Sequence, residues 1–313
     1  MKQKSVITAI VQDSPVYLNL KQCMEKAEAL ISSASGDGAE LIVFGETWLC
    51  GYPSWLDYCK DVNLWDHEPV KQVYALTHSN SITVPGPETD ILGKLAKEYG
   101  LTIVIGINEK VTTGKGNGSL YNSLLTINDK GHIANHHRKL VPTYTEKLVW
   151  AQGDGHGLNA VETRFGRVGS LICWEHWMPQ TRQAMHESGE HIHVAVWPWV
   201  NDVHQLASRH YAFEGRTFVI ACGQIMRASD LPKQLDIRDE LKSEPSGLIL
   251  RGGSCIYAPD GSCLLEPQYD KDETILCEIE NIEKTVQERM NLDVSGHYNR
   301  PDVFDLKINK NRN

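Results

Sequence analysis

The sequence predicts an α/β fold in which mixed sheets are covered by helices. Short apolar runs that fit buried strands, such as residues 41–44, alternate with longer segments of helical periodicity. In residues 18–35, apolar side chains recur every three or four positions, and glycines follow the segment. Three hairpins interrupt the alternation, so we expect antiparallel strands beside parallel ones.

The remaining elements follow from the same patterns. Predicted strands cover residues 5–12, 41–44, 101–108, 193–197, 217–222 and 274–279. Predicted helices cover residues 18–35, 91–99, 179–188 and 203–215. Predicted hairpins pair 120–127 with 132–136, 161–163 with 167–173, and 253–257 with 263–267. We expect one domain over residues 1–306, a polar surface excursion or oligomer contact at 230–246, and a flexible tail at 307–313.

Composition and charge exclude several classes of partner. The chain of 313 residues carries a formal net charge of −9, which disfavours nucleic acid and anionic membrane surfaces. No apolar run approaches the roughly 20 residues that cross a bilayer. The short run 6–11 precedes Gln12-Asp13, so we interpret it as a core strand instead of a signal peptide and expect a cytoplasmic protein.

Neither the cysteines nor the histidines form a recognisable metal or disulfide pattern. Eight cysteines are present without a Cys-x-x-Cys pair, and a cytoplasmic chain of this length rarely uses disulfides. Thirteen histidines are present, but their spacings do not match those of zinc ligands. We therefore expect no metal and no other cofactor.

Three predicted strands end in side chains that can carry chemistry. The strand at 41–44 leads to Glu46, the strand at 132–136 to Lys139, and the strand at 167–172 to Cys173. A thiol can attack an electrophilic carbon, a carboxylate can remove its proton, and a lysine can favour the thiolate. The residues alone leave a second interpretation open, in which Cys173 fills core space, Glu46 caps a turn and Lys139 is solvated.

The amino-acid sequences around these three residues resemble those of the nitrilase superfamily of carbon–nitrogen hydrolases. Residues 44–48 (FGETW) resemble the glutamate motif of the family, and residues 137–143 (HRKLVPT) resemble its lysine motif. Residues 173–179 (CWEHWMP) resemble the cysteine motif of the true nitrilase branch. Further similar segments extend the resemblance over roughly residues 5–306.

The resemblance implies a role for each matching residue. Cys173 is implied as the nucleophile and Glu46 as the general base. Lys139 is implied to stabilise negative charge or to protonate nitrogen, and Glu146 to orient the lysine. The backbone N–H of Trp174 is implied as a contact for the reacting group, so Trp174 is a predicted substrate-binding residue.

The resemblance also implies a reaction and an architecture. It predicts hydrolysis of a nitrile to acid and ammonia; the alternatives are an amidase, a nitrile or cyanide hydratase, and a non-catalytic binding protein. Tyr52, His176 and Trp199 are further predicted substrate contacts, although a structural role for His176 fits equally well. The family fold is a four-layer α-β-β-α sandwich that pairs into a homodimer or a larger homo-oligomer, and segments 54–80 and 222–245 are predicted contacts.

Overall fold

The computed structural model of the protein describes residues 5–244 and 247–312. Its strands are β1 (Val6–Val11), β2 (Leu41–Phe44), β3 (Thr102–Lys110), β4 (Leu120–Ile127), β5 (Ile133–Arg138), β6 (Val161–Thr163), β7 (Gly166–Ile172), β8 (Ile192–Val196), β9 (Phe218–Cys222), β10 (Ile225–Arg227), β11 (Leu248–Tyr257), β12 (Cys263–Tyr269) and β13 (Thr274–Ile279). Its α-helices are α1 (Leu20–Gly36), α2 (Trp55–Tyr58), α3 (Glu68–Asn80), α4 (Pro87–Tyr99), α5 (Pro179–Glu187), α6 (Asp202–Gly215), α7 (Asp239–Lys242) and α8 (Lys284–Glu288).

The strands form two mixed sheets, as the sequence predicts. The first has the order β13-β1-β2-β3-β4-β5, with β1, β2 and β3 parallel and the other pairs antiparallel. The second has the order β10-β11-β9-β8-β7-β6, with β12 paired to β11 and with β7, β8 and β9 parallel. All three predicted hairpins are present.

Two layers of helices enclose the two sheets. Helices α1 and α4 bury apolar side chains against one face of the first sheet, and α5 and α6 do so against the second. The opposite faces pack on each other, where Ile10 and Val43 of the first sheet share a cluster with Val194 and Ile220 of the second. This arrangement confirms the α/β sandwich. It fits the strand sequences, since strands buried on both faces are continuously apolar.

Capping residues account for the start of α1 and for both ends of α4. The Asn19 side chain accepts a hydrogen bond from the Gln22 N–H and caps α1. Helix α4 begins at Pro87, earlier than predicted, because proline suits the first turn of a helix. Gly100 ends it in the left-handed conformation.

The segments 54–80 and 222–245, which the sequence predicts as contacts between copies, contain regular secondary structure. Helices α2 and α3 lie in the first, and β10 and α7 lie in the second. Trp55 and Leu231 are buried in a common cluster, and Cys59 forms a β-bridge with Ile237. The two segments therefore pack on each other within one chain. Residues 245 and 246, at the end of the predicted excursion, lie outside the described residues.

The tail has contacts in the structure. The Arg312 guanidinium donates to the Asp154 carboxylate at 3.2 Å and to the His136 carbonyl at 2.6 Å. Ile308 packs against the main core. The predicted flexibility of residues 307–313 stays a prediction. Within residues 5–244 and 247–312, no helix has the length and apolar character that a membrane crossing requires.

Candidate active site

Three strand ends meet at one place between the two sheets. Glu46 follows β2, Lys139 follows β5 and Cys173 follows β7. The Cys173 Sγ and one carboxylate oxygen each of Glu46 and Glu146 all lie within 4.8 Å of one another. The Lys139 Nζ donates to Glu46 Oε1 at 2.9 Å and to Glu146 Oε2 at 2.7 Å. The fold thus assembles the four residues that the sequence predicts as catalytic.

Glu46 is held by its backbone and by one of its two carboxylate oxygens. The Gln224 side chain donates to the Glu46 carbonyl at 2.7 Å, and the Asn122 amide donates to Glu46 Oε1 at 2.7 Å. A Cβ on Gly106 would lie 2.2 Å from the Gly45 carbonyl oxygen, so glycine lets the glutamate loop cross β3 closely. Among the described residues no group hydrogen-bonds Glu46 Oε2, which leaves this oxygen available to accept a proton.

Lys139 lies between two carboxylates that are themselves fixed. Glu146 Oε1 accepts a hydrogen bond from the Tyr52 hydroxyl at 2.7 Å, and Glu146 Oε2 accepts one from the Thr143 N–H at 2.7 Å. The Lys139 side chain is 1% exposed. Burial disfavours the ammonium, but the charges of Glu46 and Glu146 outweigh it and raise the pKa of Lys139. The lysine is therefore a fixed cation.

Cys173 sits at a sharp turn between β7 and a 3-10 helix over residues 173–177. Its φ of 53° is left-handed, a conformation that non-glycine residues rarely adopt. The turn brings the backbone N–H of Trp174 to the cysteine sulfur. Burial raises the pKa of the Cys173 thiol, and the neighbouring Glu46 charge raises it further, while Lys139 opposes both effects. The resting cysteine is therefore a thiol that needs a base.

Glu46 has the properties of that base. Burial raises the pKa of Glu46 to about 7, the Lys139 charge lowers it and the Glu146 charge raises it. A base is most effective when its pKa lies near the working pH. The site can therefore move the thiol proton to Glu46 at neutral pH, beside a cation that stabilises developing negative charge.

A cavity of about 230 Å³ opens onto the cysteine. Tyr52, Glu146, Cys173, Trp174 and Trp199 are among its lining residues. Three of the four predicted substrate contacts thus border the cavity. The Tyr52 hydroxyl donates to Glu146 and so orients that carboxylate.

His176, the fourth predicted substrate contact, lies elsewhere. Its ring is buried behind the cysteine, where Nδ1 contacts the Cys173 carbonyl oxygen at 2.6 Å and Nε2 contacts His193 Nε2 at 3.0 Å. Both ring nitrogens are therefore occupied by protein groups, and the residue does not line the cavity. The structure thus places His176 against the backbone of Cys173, which matches the structural role that the sequence left open beside a substrate contact.

Two further residues of the site do not emerge from the sequence. Asn122 lies inside β4, and only the pairing of β4 with β3 and β5 brings its amide to Glu46. Glu175 is part of the cysteine motif, but its buried carboxylate contacts backbone N–H groups and not the cavity. The available signal for Glu175 was a glutamate three residues after the end of an apolar strand.

A metal ion does not suit the acidic group around the cysteine. Glu46, Glu146 and Cys173 are close enough to share an ion. However, the ammonium of Lys139 already pairs with both carboxylates. The ammonium would repel a metal ion at this short range. The two carboxylates and the thiol therefore suit the lysine and not a metal ion.

The chain belongs to the carbon–nitrogen hydrolase family. The family model matches residues 7–285, which includes all three strand ends of the site. The structure is also similar to the crystal structure of a carbon–nitrogen hydrolase from Helicobacter pylori, with a TM-score of 0.70. That similarity covers 96% of this chain and 97% of the other at 19% sequence identity, and it concerns the fold.

Relatives with greater sequence identity carry nitrilase names. An aliphatic nitrilase of Sinorhizobium fredii is 35% identical over 96% of this chain and 95% of its own length. A bifunctional nitrilase/nitrile hydratase of Lupinus angustifolius is 32% identical over 97% of this chain and 86% of its own length. The resemblance stated from the three motifs is thereby confirmed at the level of the family.

Proposed function

We propose that the protein is a nitrilase that converts an organic nitrile into a carboxylic acid and ammonia. The observation that carries the proposal is that Cys173 lines the cavity while its thiol lies beside Glu46, which is paired with Lys139. The nitrilase names of relatives at 32–35% identity support the choice of a nitrile over other electrophiles.

The first half of the proposed reaction forms a covalent bond. Glu46 removes the thiol proton, and the Cys173 sulfur attacks the nitrile carbon. The triple bond loses one π pair to nitrogen, which takes up the proton with the help of Lys139. The product of this step is a thioimidate, whose nitrogen lies in the field of the Lys139 cation.

The second half uses two waters and restores the cysteine. Glu46 activates the first water, which adds to the thioimidate carbon; the carbon–nitrogen bond breaks, ammonia leaves and a thioester remains. A second water then attacks the thioester and releases the carboxylic acid and the free thiol. One nitrile and two waters thus give one acid and one ammonia, without an external cofactor.

Addition of the first water to the thioimidate carbon gives a tetrahedral intermediate, and the bond that breaks next defines the alternative within the family. If the carbon–sulfur bond breaks before the carbon–nitrogen bond, the product is an amide and no ammonia is released. The name of the lupin relative includes both outcomes. An amidase would instead start from the amide.

The test is quantification of acid, amide and ammonia across a panel of nitriles and amides. We expect acid and ammonia in equal amounts from at least one nitrile, and no turnover by Cys173→Ala. Cys263→Ala is the matched control, because this half-buried thiol lies on β12 outside the cavity lining. Amide accumulating without ammonia would overturn the proposal in favour of a hydratase, and turnover of amides alone would favour an amidase.

A non-catalytic binding protein makes a different prediction for cysteine chemistry. We expect iodoacetamide to alkylate Cys173 faster than Cys263 at neutral pH, because Glu46 can accept the thiol proton. Equal and slow labelling of both thiols, together with no turnover, would favour the binding protein.

We also propose self-association, as predicted from the resemblance. The side chain of Trp65 is 98% exposed and that of the adjacent Leu64 is 54% exposed, in the segment 54–80. These adjacent apolar side chains offer area that a second copy of the chain would remove from water. A solution mass of 35.1 kDa, that of one chain, would contradict self-association.

A further inference from the structure

A chain of four buried polar side chains leads away from the Cys173 backbone into the second sheet. The His176 Nδ1 lies 2.6 Å from the Cys173 carbonyl oxygen, and the His176 Nε2 lies 3.0 Å from His193 Nε2. The His193 Nδ1 contacts Glu190 Oε2, and the Tyr211 hydroxyl donates to Glu190 Oε1 at 2.6 Å. All four side chains are buried, and the reaction proposed above uses none of them.

The hydrogen bonds in this chain have one consistent direction. A carbonyl oxygen only accepts, so the His176 Nδ1 carries a proton and donates to Cys173. The neutral His176 ring then accepts at Nε2, and His193 donates from its own Nε2. Burial lowers the pKa of His176 to about 3, which supports the neutral ring.

The proton between His193 and Glu190 completes the pattern. With Nε2 of His193 donating, its Nδ1 accepts from the carboxylic acid of a protonated Glu190, whose other oxygen accepts from Tyr211. Burial raises the pKa of Glu190 to about 7 and lowers the pKa of His193, so the uncharged pair is favoured. Every link then joins one donor to one acceptor.

The surrounding packing is built to hold this chain. The His193 ring stacks on Tyr211 with centroids 3.9 Å apart, and the His176 ring lies 4.9 Å from the Trp197 ring. A Cβ on Gly169 would lie 2.4 Å from Glu190 Oε2, so the glycine of β7 leaves the space that the carboxyl occupies. The chain therefore connects the cysteine turn to β8 and α6.

We propose that His176, His193, Glu190 and Tyr211 form a positioning chain for the nucleophile. It fixes the Cys173 carbonyl toward the protein interior and thereby keeps the residue in the left-handed conformation that presents its thiol to Glu46 and Lys139. The four residues act through Cys173 and touch no substrate, since none lines the cavity. The inference rests on the proposed function only in taking Cys173 as the nucleophile.

The first test compares two amide side chains at position 176. In His176→Asn the amide N–H takes the place of Nδ1 and can still donate to the Cys173 carbonyl. In His176→Gln the amide reaches the place of Nε2 and leaves the carbonyl without its donor. Both variants bury an amide of similar polarity, so a general cost to folding affects them alike.

The expected results separate positioning from stability. We expect His176→Gln to lower kcat by roughly 100-fold, the order expected when a reacting group moves by about 1 Å, with KM little changed. We expect His176→Asn to keep most of kcat. Equal kcat values for the two variants, or losses of kcat that only follow their melting temperatures, would overturn the proposal.

A second pair of variants, at Glu190, tests the donor-to-acceptor direction of the hydrogen bonds at the far end of the positioning chain. Glu190→Gln keeps an N–H for His193 and a carbonyl for Tyr211, so we expect most of kcat to remain. Glu190→Leu removes both and should lower kcat without raising KM. If the glutamine variant loses as much kcat as the leucine variant, the assigned direction is wrong; if the leucine variant does not fold, the pair at position 176 still decides.

Alkylation of Cys173 makes the test independent of the substrate. The rate of Cys173 modification by iodoacetamide, followed by peptide mass spectrometry, should fall in His176→Gln and be retained in His176→Asn. If the native protein releases no ammonia from any nitrile, the proposed function fails while this comparison still tests the positioning chain. Identical labelling rates in an active enzyme would overturn the positioning chain alone.

Discussion

Glu175 accepts a hydrogen bond from the backbone N–H of Leu140 at 2.8 Å, which joins the residue after Lys139 to the turn that carries Cys173. Its other oxygen accepts from the N–H of Ile172, the residue before the cysteine, at 2.8 Å. His137 contacts both oxygens. One buried carboxylate thus links the strand ends that present the lysine and the cysteine.

Replacement of Glu175 by glutamine should weaken both the fold and the reaction. An amide nitrogen cannot accept, so one of the two backbone N–H groups loses its partner in a buried place. We expect the free energy of unfolding to fall by about 1–3 kcal/mol, the cost of an unsatisfied buried group. Urea unfolding measures this loss, and we expect a lower kcat in ammonia release.

Glu187→Gln is the matched control for Glu175→Gln. Glu187 is an exposed glutamate on α5, and within residues 5–244 and 247–312 its carboxylate accepts a hydrogen bond from the Gln183 side chain alone. Surface changes of this kind usually alter stability by less than about 0.5 kcal/mol. Similar unfolding curves for the two variants would contradict the role given to Glu175.

The pH dependence of turnover should follow the ionisation of Glu46. Its pKa, raised by burial to about 7, means that the carboxylate is lost as the pH falls through 7. The base form is the carboxylate, so kcat/KM should decrease on the acid side, by roughly tenfold per pH unit for a single proton. A profile that stays flat down to pH 5 would contradict Glu46 as the base.

Asn122→Leu should move the decrease of kcat/KM on the acid side, the acid limb of the pH profile, to higher pH. The Asn122 amide donates to Glu46 Oε1 and so stabilises the carboxylate, which lowers the pKa of Glu46. Without the donor the pKa of Glu46 rises further, and more protons are bound at a given pH. The measurement is kcat/KM against pH for both proteins; an unmoved or downward-shifted limb would refute the assignment.

Tyr52→Phe separates orientation of Glu146 from direct binding of substrate. The variant loses only the hydroxyl that donates to Glu146 Oε1 at 2.7 Å. A hydrogen bond to a charged group contributes about 1.5–3 kcal/mol, so we expect kcat to fall by roughly 10- to 100-fold with KM nearly constant. A rise in KM at constant kcat would instead assign Tyr52 to substrate binding alone.

Trp199→Ala should change which nitriles are accepted. The indole borders the cavity that contains Cys173 and Trp174, so its removal enlarges the space beside the nucleophile. We expect bulkier nitriles to gain relative to small ones in kcat/KM, measured as ammonia release across a nitrile panel. An unchanged substrate profile would remove Trp199 from the substrate-binding surface.

The parts of the fold that the sequence predicts are those with local signals. Strands such as 41–44 are recognisable because four apolar residues in a row are buried on both faces. Helix α3 escapes prediction because only Val73 and Thr77 are buried along it, which gives little apolar periodicity. Strand β10 has three residues and depends on its pairing with β11.

The sequence by itself determined the α/β class, the family resemblance and the positions of Glu46, Lys139 and Cys173 at the ends of apolar strands. Only the tertiary structure decided that Asn122 and Glu175 support these residues and that His176 faces inward, away from the cavity. The physical reason is that periodicity is a property of neighbouring residues, whereas the direction and the partner of a side chain depend on how distant strands pack.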